Sequence, residues 1–131
     1  MKNENGHIWC VFHFFYNLFI SLYGLVVRGF AIKNEKARKF LRGRKDAFSR
    51  IEETELNDFR HLIWVHVASL GEFEQARPII EALKSTSGAD FGIALTFFSP
   101  SGYDQRKNYE FADLTTYLPL DTPSKAKRFF D

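Results

Sequence analysis

The chain has 131 residues, the length of about one domain. Hydrophobic residues make up 45% and charged residues 26% of it, a balance that excludes a disordered or collagen-like chain. The single cysteine, Cys10, excludes an internal disulfide framework and offers no zinc site. We therefore expect no bound metal ion and no cofactor.

The positive charge is concentrated in one segment of the chain. Residues 28–45 carry eight basic groups and one acid, Glu35, which gives a charge of +7. Because the whole chain has a net charge of +2, all other residues together sum to −5. A nucleic-acid-binding protein spreads its positive charge over a folded face, so nucleic acid is not an expected partner.

An uncharged run of 20 residues, 8–27, lies directly before the basic segment. As a helix it would be about 30 Å long, the thickness of the hydrocarbon core of a bilayer. A signal peptide carries its positive charge in front of the apolar run, whereas here the charge follows. By the positive-inside rule, the rest of the chain is then cytoplasmic. We predict that residues 1–32 form a membrane-anchoring helix with lipids as partners.

A stripe of small and polar residues follows one face of this helix at steps of 4, 4, 3 and 4: His13, Asn17, Ser21, Gly24 and Arg28. Two interpretations fit the stripe: a spanning helix that packs this face on protein, and a helix that lies in the membrane interface. In both, the basic run 33–45 lies beside anionic head groups, where each charge contributes on the order of 1 kcal/mol. His13 and Cys10 are predicted to be packing residues rather than ligands.

The rest of the chain divides into a polar part and a patterned part. Residues 33–60 are predicted to be a basic juxtamembrane segment and then a polar connector over 46–60, with room for a helical turn. Over 61–131, apolar runs typical of strands alternate with helical spacing. Strands are predicted at 62–67, 91–97 and 114–118, and helices at 72–84, at 103–111 and from 124.

This alternation with short connections predicts an α/β domain with a parallel sheet. The 86 residues from Asp46 to Asp131 are few for a self-sufficient core, so we expect this domain to be incomplete at its C-terminal end. The first strand is expected to be buried on both faces because its apolar run is continuous. His66, within this strand, is predicted to lie in the core, and His61, directly before it, on the surface.

Ligands of open parallel sheets bind beyond the carboxyl ends of the strands. After the first strand, Ser69 and Glu72 form the pattern of a capping box, in which the glutamate bonds back to the helix N-terminus. A carboxylate at the positive end of a helix also suits a proton acceptor, so capping and catalysis both remain open for Glu72. After the second strand, Ser99, Ser101 and Gly102 fit either an anion site or an ordinary helix cap.

Three blocks resemble the bacterial Kdo (3-deoxy-D-manno-octulosonic-acid) transferases: IWVHVASLGEF at 63–73, LTFFSPSGY at 95–103 and YLPLD at 117–121. They occur in the order of that family and follow an apolar N-terminal segment. The resemblance implies a GT-B glycosyltransferase, built of two Rossmann-like domains. Residues 61–131 would be the N-terminal, acceptor-side domain, while the CMP-binding motifs of the second half have no counterpart here.

The resemblance also implies an activity: transfer of Kdo from CMP-Kdo to the lipid A precursor in lipopolysaccharide biosynthesis, on the cytoplasmic side of the inner membrane. Glu72 matches the general base of the family, which takes a proton from the acceptor hydroxyl in an inverting displacement. The other residues expected to bind substrate are Ser69, Gly71, Ser99, Ser101 and Gly102.

Without a CMP-binding half, the isolated chain is expected to be inactive. The alternative function is a membrane-tethered Rossmann-like interaction module that has no catalysis of its own. A second domain with CMP-binding motifs downstream of Asp131 would favour the enzyme over the module.

Overall fold

The computed structural model describes residues 4–87 and 90–130. In chain order, the helices and strands of the described residues are α1 (Glu4–Phe30), α2 (Glu35–Glu53), β1 (His61–Val67), α3 (Leu70–Ser87), β2 (Phe91–Phe97), α4 (Pro100–Arg106), β3 (Leu114–Tyr117) and α5 (Pro123–Phe130). A short 3₁₀ turn, Leu56–Asp58, separates α2 from β1.

The three strands form one parallel sheet in the order β1-β2-β3. Val67 pairs with Phe97, and Phe97 pairs with Tyr117, so the carboxyl ends of all three strands finish level with one another. The predicted α/β class with a parallel sheet is confirmed. The assignment to a Rossmann-like GT-B domain stays a prediction.

The hydrophobic core lies between the sheet and α3. Ile93, Leu95 and Phe97 alternate onto one face of β2, and Phe73 and Ile80 of α3 pack against them, each with 0% of its surface exposed. The ring centroids of Phe73 and Phe97 are 5.8 Å apart. These contacts fix the start of α3 against the carboxyl end of β2.

β1 is more exposed than its apolar run predicts. In the described sheet it pairs only with β2 and is therefore an edge strand. Leu62 and Trp64 are 48% and 42% exposed, and His66, predicted to be a core residue, is exposed as well. This outer face is covered only in part, by Phe129 of α5 at 5.0 Å from the Trp64 ring. The predicted exposure of His61 is confirmed.

α2 extends further than the sequence predicts, and the predicted connector over 46–60 is wrong for residues 46–53. The helix begins at a cap in which the Asn34 side chain accepts hydrogen bonds from the two N–H groups of Lys36 and Ala37. Its many charged residues lie on the outer side of the helix. A buried stripe on the inner side packs toward β3: Phe40, Arg44, Ala47 and Phe48.

The fourth helix is displaced from its predicted range of 103–111. α4 begins at Pro100, because the Ser99 side chain caps it and proline is favoured in the first helical turn. It ends at Arg106, before the turn that leads into β3. α3 likewise begins two residues earlier than predicted and includes Pro78 without a break.

α1 is long and apolar enough to cross a membrane by length and composition, over the 22 residues Trp9–Phe30. The predicted polar stripe faces protein only in part. Gly24 is buried and Asn17 half-buried, whereas His13 and Arg28 are exposed. Cys10 is exposed as well, so no protein packs on His13 or Cys10 within the described residues, and their packing role in a membrane stays a prediction.

Gly43 gives a test of how closely α2 packs on the sheet, because a Cβ built there would lie 2.1 Å from a ring carbon of Tyr117. Alanine favours a helix over glycine by about 1 kcal/mol, but overpacking a core costs about 1–3 kcal/mol. We expect the overpacking to outweigh the helix preference, so Gly43→Ala should lower the free energy of unfolding by up to about 2 kcal/mol. Ser49→Ala, on the exposed side of α2, is the matched control and should stabilise by a few tenths of a kcal/mol. Thermal melts of the full chain compare them. A Gly43→Ala chain that is more stable than the parent would contradict the packing.

Candidate functional site at the carboxyl edge of the sheet

The loops that follow β1 and β2 are joined by backbone hydrogen bonds. Phe98 N–H donates to the carbonyl of Val67 at 3.0 Å, and Ser99 N–H donates to the carbonyl of Ala68 at 3.1 Å. Parallel pairing therefore continues past the ends of the strands. Both loops that carry the predicted site residues lie side by side at one edge of the sheet.

Glu72 is held at the start of α3 by a reciprocal cap. Its Oε2 accepts a hydrogen bond from Ala68 N–H at 2.7 Å, while Ser69 Oγ accepts one from Glu72 N–H at 3.3 Å. Phe73 N–H then donates to the Ser69 carbonyl at 3.1 Å, the first bond of the helix. The predicted capping is confirmed with one difference: the carboxylate binds the N–H of Ala68 rather than that of Ser69.

The second carboxylate oxygen of Glu72 is free of this cap. Within residues 4–87 and 90–130, no hydrogen bond to Oε1 is formed, and the side chain is exposed. The cap thus fixes the orientation of the carboxylate through one oxygen and leaves the other open to solvent. A single side chain can cap the helix and accept a proton at the same time.

The loop after β2 is organised around a second cap. Ser99 Oγ accepts a hydrogen bond from Gly102 N–H at 3.1 Å and lies 3.4 Å from Ser101 Oγ. Gly102 is buried, and a Cβ there would lie 2.9 Å from the ring of Phe97. Ser99 and Gly102 are thus occupied in starting α4, while Ser101 is exposed beside them. At Gly71 a Cβ would have no such close neighbour, since the nearest atom to it would be Ser69 Oγ at 3.9 Å.

Arg44 of α2 reaches this edge and was not singled out from the sequence. Its guanidinium donates to the carbonyl of Phe98 at 3.0 Å and to that of Phe40 at 3.3 Å. Its central carbon lies 3.4 Å from the ring centroid of Phe40 and 4.7 Å from that of Phe98. Arg44 is only 5% exposed, and burial lowers its pKa to about 10.

The prediction that the basic run 33–45 lies beside lipid head groups is wrong for Arg44, which is buried against protein. No ion pair of Arg44 occurs among the described residues, so carbonyls and aromatic rings stabilise the cation instead. The sequence does contain an indication of this burial. Arg44 shares a helical face with Phe40, Ala47 and Phe48, and this spacing predicts its environment better than its position in a run of charged residues does.

A polar cluster connects the outer face of β1 to β2. Trp64 Nε1 donates to Thr96 Oγ1 at 2.8 Å, and His66 Nδ1 lies 2.9 Å from the same oxygen. One hydroxyl of β2 thus connects two side chains of β1. Partial burial lowers the pKa of His66, and the nearby charge of Glu72 opposes this shift.

A cavity of about 350 Å³ lies between this edge of the sheet and α1. Its wall is largely apolar, with the Arg44 guanidinium and the Asp121 carboxylate as its charged groups. The residues that line it are Tyr16, Phe19, Ile20 and Tyr23 of α1, Arg44, Phe98, and the loop 118–121 that follows β3.

Sequence comparisons place the chain among known proteins. The sequence profile of the 3-deoxy-D-manno-octulosonic-acid transferase (kdotransferase) family matches residues 34–131. A 3-deoxy-D-manno-octulosonic acid transferase of Aquifex aeolicus (strain VF5) is 40% identical over 75 residues, which are 56% of this chain and 20% of that protein. The chain thus spans about a fifth of the length of this curated relative. No solved structure matches it.

The lowered pKa of His66 makes the stability of the fold depend on pH. The unfolded chain binds a proton near the ordinary pKa of about 6.5, and the folded chain does so only at lower pH. The folded state is therefore favoured by neutral His66. This stabilisation is fully present above about pH 6.5 and is lost as the pH falls through the folded-state pKa. His66→Gln should reduce the loss of melting temperature between about pH 7.5 and pH 5.

His61→Gln, an exposed position on the same strand, is the control and should keep the pH dependence of the parent chain. An unchanged dependence in His66→Gln would show that burial of His66 is not what makes the stability depend on pH in this range.

Proposed function

The chain belongs to the 3-deoxy-D-manno-octulosonic-acid transferase family, and on that premise we propose that it is the acceptor-side part of an inverting enzyme that moves Kdo from CMP-Kdo to the lipid A precursor. The donor nucleotide would be bound chiefly by a further domain. The observation that carries this proposal is the position of Glu72, which is held by its cap with one oxygen free.

In the proposed reaction, Glu72 Oε1 accepts the proton of a glucosamine hydroxyl. The hydroxyl oxygen attacks the anomeric carbon of Kdo, a new C–O bond forms, and the bond from that carbon to the CMP phosphate breaks. CMP leaves with the electron pair, and the configuration at carbon is inverted. A positioned base of this kind contributes about 10²–10⁴-fold to a rate.

The cap supports this role because it orients the base before substrate arrives. The bond from Ala68 N–H holds Oε2 at 2.7 Å, and the positive end of α3 attracts the negative charge. The candidate base also lies where ligands of parallel sheets bind, beyond the carboxyl ends of the strands. Ser69 and Ser101 are exposed on the same edge and could donate hydrogen bonds to sugar hydroxyls.

The acceptor in this proposal is a lipid, and two features of the chain suit one. The apolar cavity between α1 and the sheet edge can take part of an acyl chain, with Arg44 at its wall. The apolar segment Trp9–Phe30 would anchor the chain at the inner membrane, with residues 61–131 as the acceptor-side domain on the cytoplasmic side. An anchored enzyme meets a lipid acceptor by diffusion in two dimensions.

Glu72→Gln separates catalysis from capping. Glutamine keeps a side-chain oxygen for Ala68 N–H, so the loss of stability should be about 0.5 kcal/mol or less. It cannot accept the proton, so Kdo transfer should fall by about 100-fold or more. The assay uses a chimera in which this chain replaces the matching region of the Aquifex aeolicus relative. The unsubstituted chimera sets the reference rate.

Ser69→Ala is the matched variant at the same cap. It removes the acceptor for Glu72 N–H and should cost about 1 kcal/mol of stability with the smaller effect on transfer. If Glu72→Gln keeps near-normal transfer, Glu72 is a cap only and the base lies elsewhere. A non-catalytic interaction module predicts that neither substitution changes the transfer rate.

A further inference from the structure

The C-terminal half of α1 lies against the folded body. Tyr16 O–H donates a hydrogen bond to the carboxylate of Asp121, in the loop after β3. Gly24 is buried, and a Cβ there would contact Leu120 at 3.6 Å. Ala31, at the end of the helix, is 9% exposed. Protein therefore covers one side of α1 from Tyr16 to its end.

The part of α1 that remains free is too short to cross a bilayer. Trp9–Phe15 rises about 10 Å, and even Glu4–Phe15 rises only about 18 Å, against a hydrocarbon core of about 30 Å. For Trp9–Phe30 to span, Asp121 would have to enter the hydrocarbon beside Tyr16, together with the adjoining loop. A carboxylate and irregular backbone are both costly there because water is absent.

The surface of α1 that the folded body leaves uncovered is largely apolar from Trp9 to Phe30. Large side chains recur there every three or four residues, each between 47% and 69% exposed: Trp9, Phe12, Phe15, Phe19, Leu22, Val26 and Phe30. Val11, Phe14, Leu18 and Leu25 are 53–64% exposed as well, so exposed apolar surface continues around the helix beyond this stripe. Contiguous apolar surface of this extent marks an interaction site.

Charge at the end of the stripe favours an anionic lipid surface as the partner. Phe30 and Ile32 are 66% and 79% exposed, and Lys33 follows directly, with Arg28 on the preceding turn. Basic side chains next to exposed apolar side chains are attracted to anionic head groups at a membrane surface. Here the folded body takes the place of the polar face of such a helix.

We propose that α1 lies in the plane of one leaflet of an anionic bilayer, with its apolar stripe in the acyl region and the folded body on its other side. The proposal rests on the membrane association proposed above and adds the orientation of α1 relative to the bilayer. Of the two interpretations that the sequence leaves open, it selects the interfacial helix. It also places the cavity, and the sheet edge that carries Glu72, next to the lipid surface.

The test measures the depth of three positions on the stripe. Phe12, Phe19 and Val26 are seven residues apart, so they share one face and extend over about 21 Å of helix. In a Cys10→Ser background, Phe12→Cys, Phe19→Cys and Val26→Cys each carry one fluorophore. The full chains are bound to vesicles of phosphatidylethanolamine and phosphatidylglycerol. Lipids with quenchers at known depths then report where each label lies.

An in-plane helix predicts the same shallow depth for all three labels within a few ångströms. A label at Gln75→Cys, exposed on α3, should not be quenched. Depths that change progressively from position 12 to position 26, by about 20 Å in total, would overturn the in-plane geometry and leave membrane association intact.

Absence of quenching at all three positions would overturn membrane association itself. If such chains also sediment as dimers, a second copy rather than lipid covers the stripe. Neither outcome affects the role of Glu72, which the transfer assay tests separately.

Discussion

The candidate site depends on a parallel pairing that continues beyond the last residues of β1 and β2. The peptide of Ala68 takes part in two bonds: its carbonyl accepts from Ser99 N–H at 3.1 Å, and its N–H donates to Glu72 at 2.7 Å. One short segment of backbone thus connects the neighbouring loop and orients the candidate base. Backbone groups need no side-chain ordering to hold this position, so the site is preorganised.

A second support comes from α2, through a buried cation. Arg44 donates to the carbonyl of Phe98, directly before the Ser99 cap, and is enclosed by aromatic rings. Burying a charge without an ionic partner is unfavourable, and the carbonyl bonds and ring contacts offset part of that cost. α2 therefore supports the candidate site through Arg44, in addition to connecting α1 with the sheet.

Some elements could be predicted from the sequence and others could not, for physical reasons. The strands and α3 were predictable because apolar runs and breakers define them locally. The end of α2 was not, because charges around Ala47 and Phe48 conceal its buried stripe. The exposure of His66 depends on which strands flank β1, and strand pairing is a tertiary property. The capping role of Glu72 was predictable from spacing, but its actual donor, the N–H of Ala68, depends on how the loop approaches the helix.

The most direct test of the role of Glu72 is a structure of an enzyme that carries this region with a lipid A precursor analogue bound. We predict that the attacking hydroxyl lies about 2.6–3.2 Å from Glu72 Oε1 while Oε2 keeps its bond to Ala68 N–H. A hydroxyl placed against another carboxylate, with Glu72 in contact only with the start of α3, would contradict the proposed mechanism.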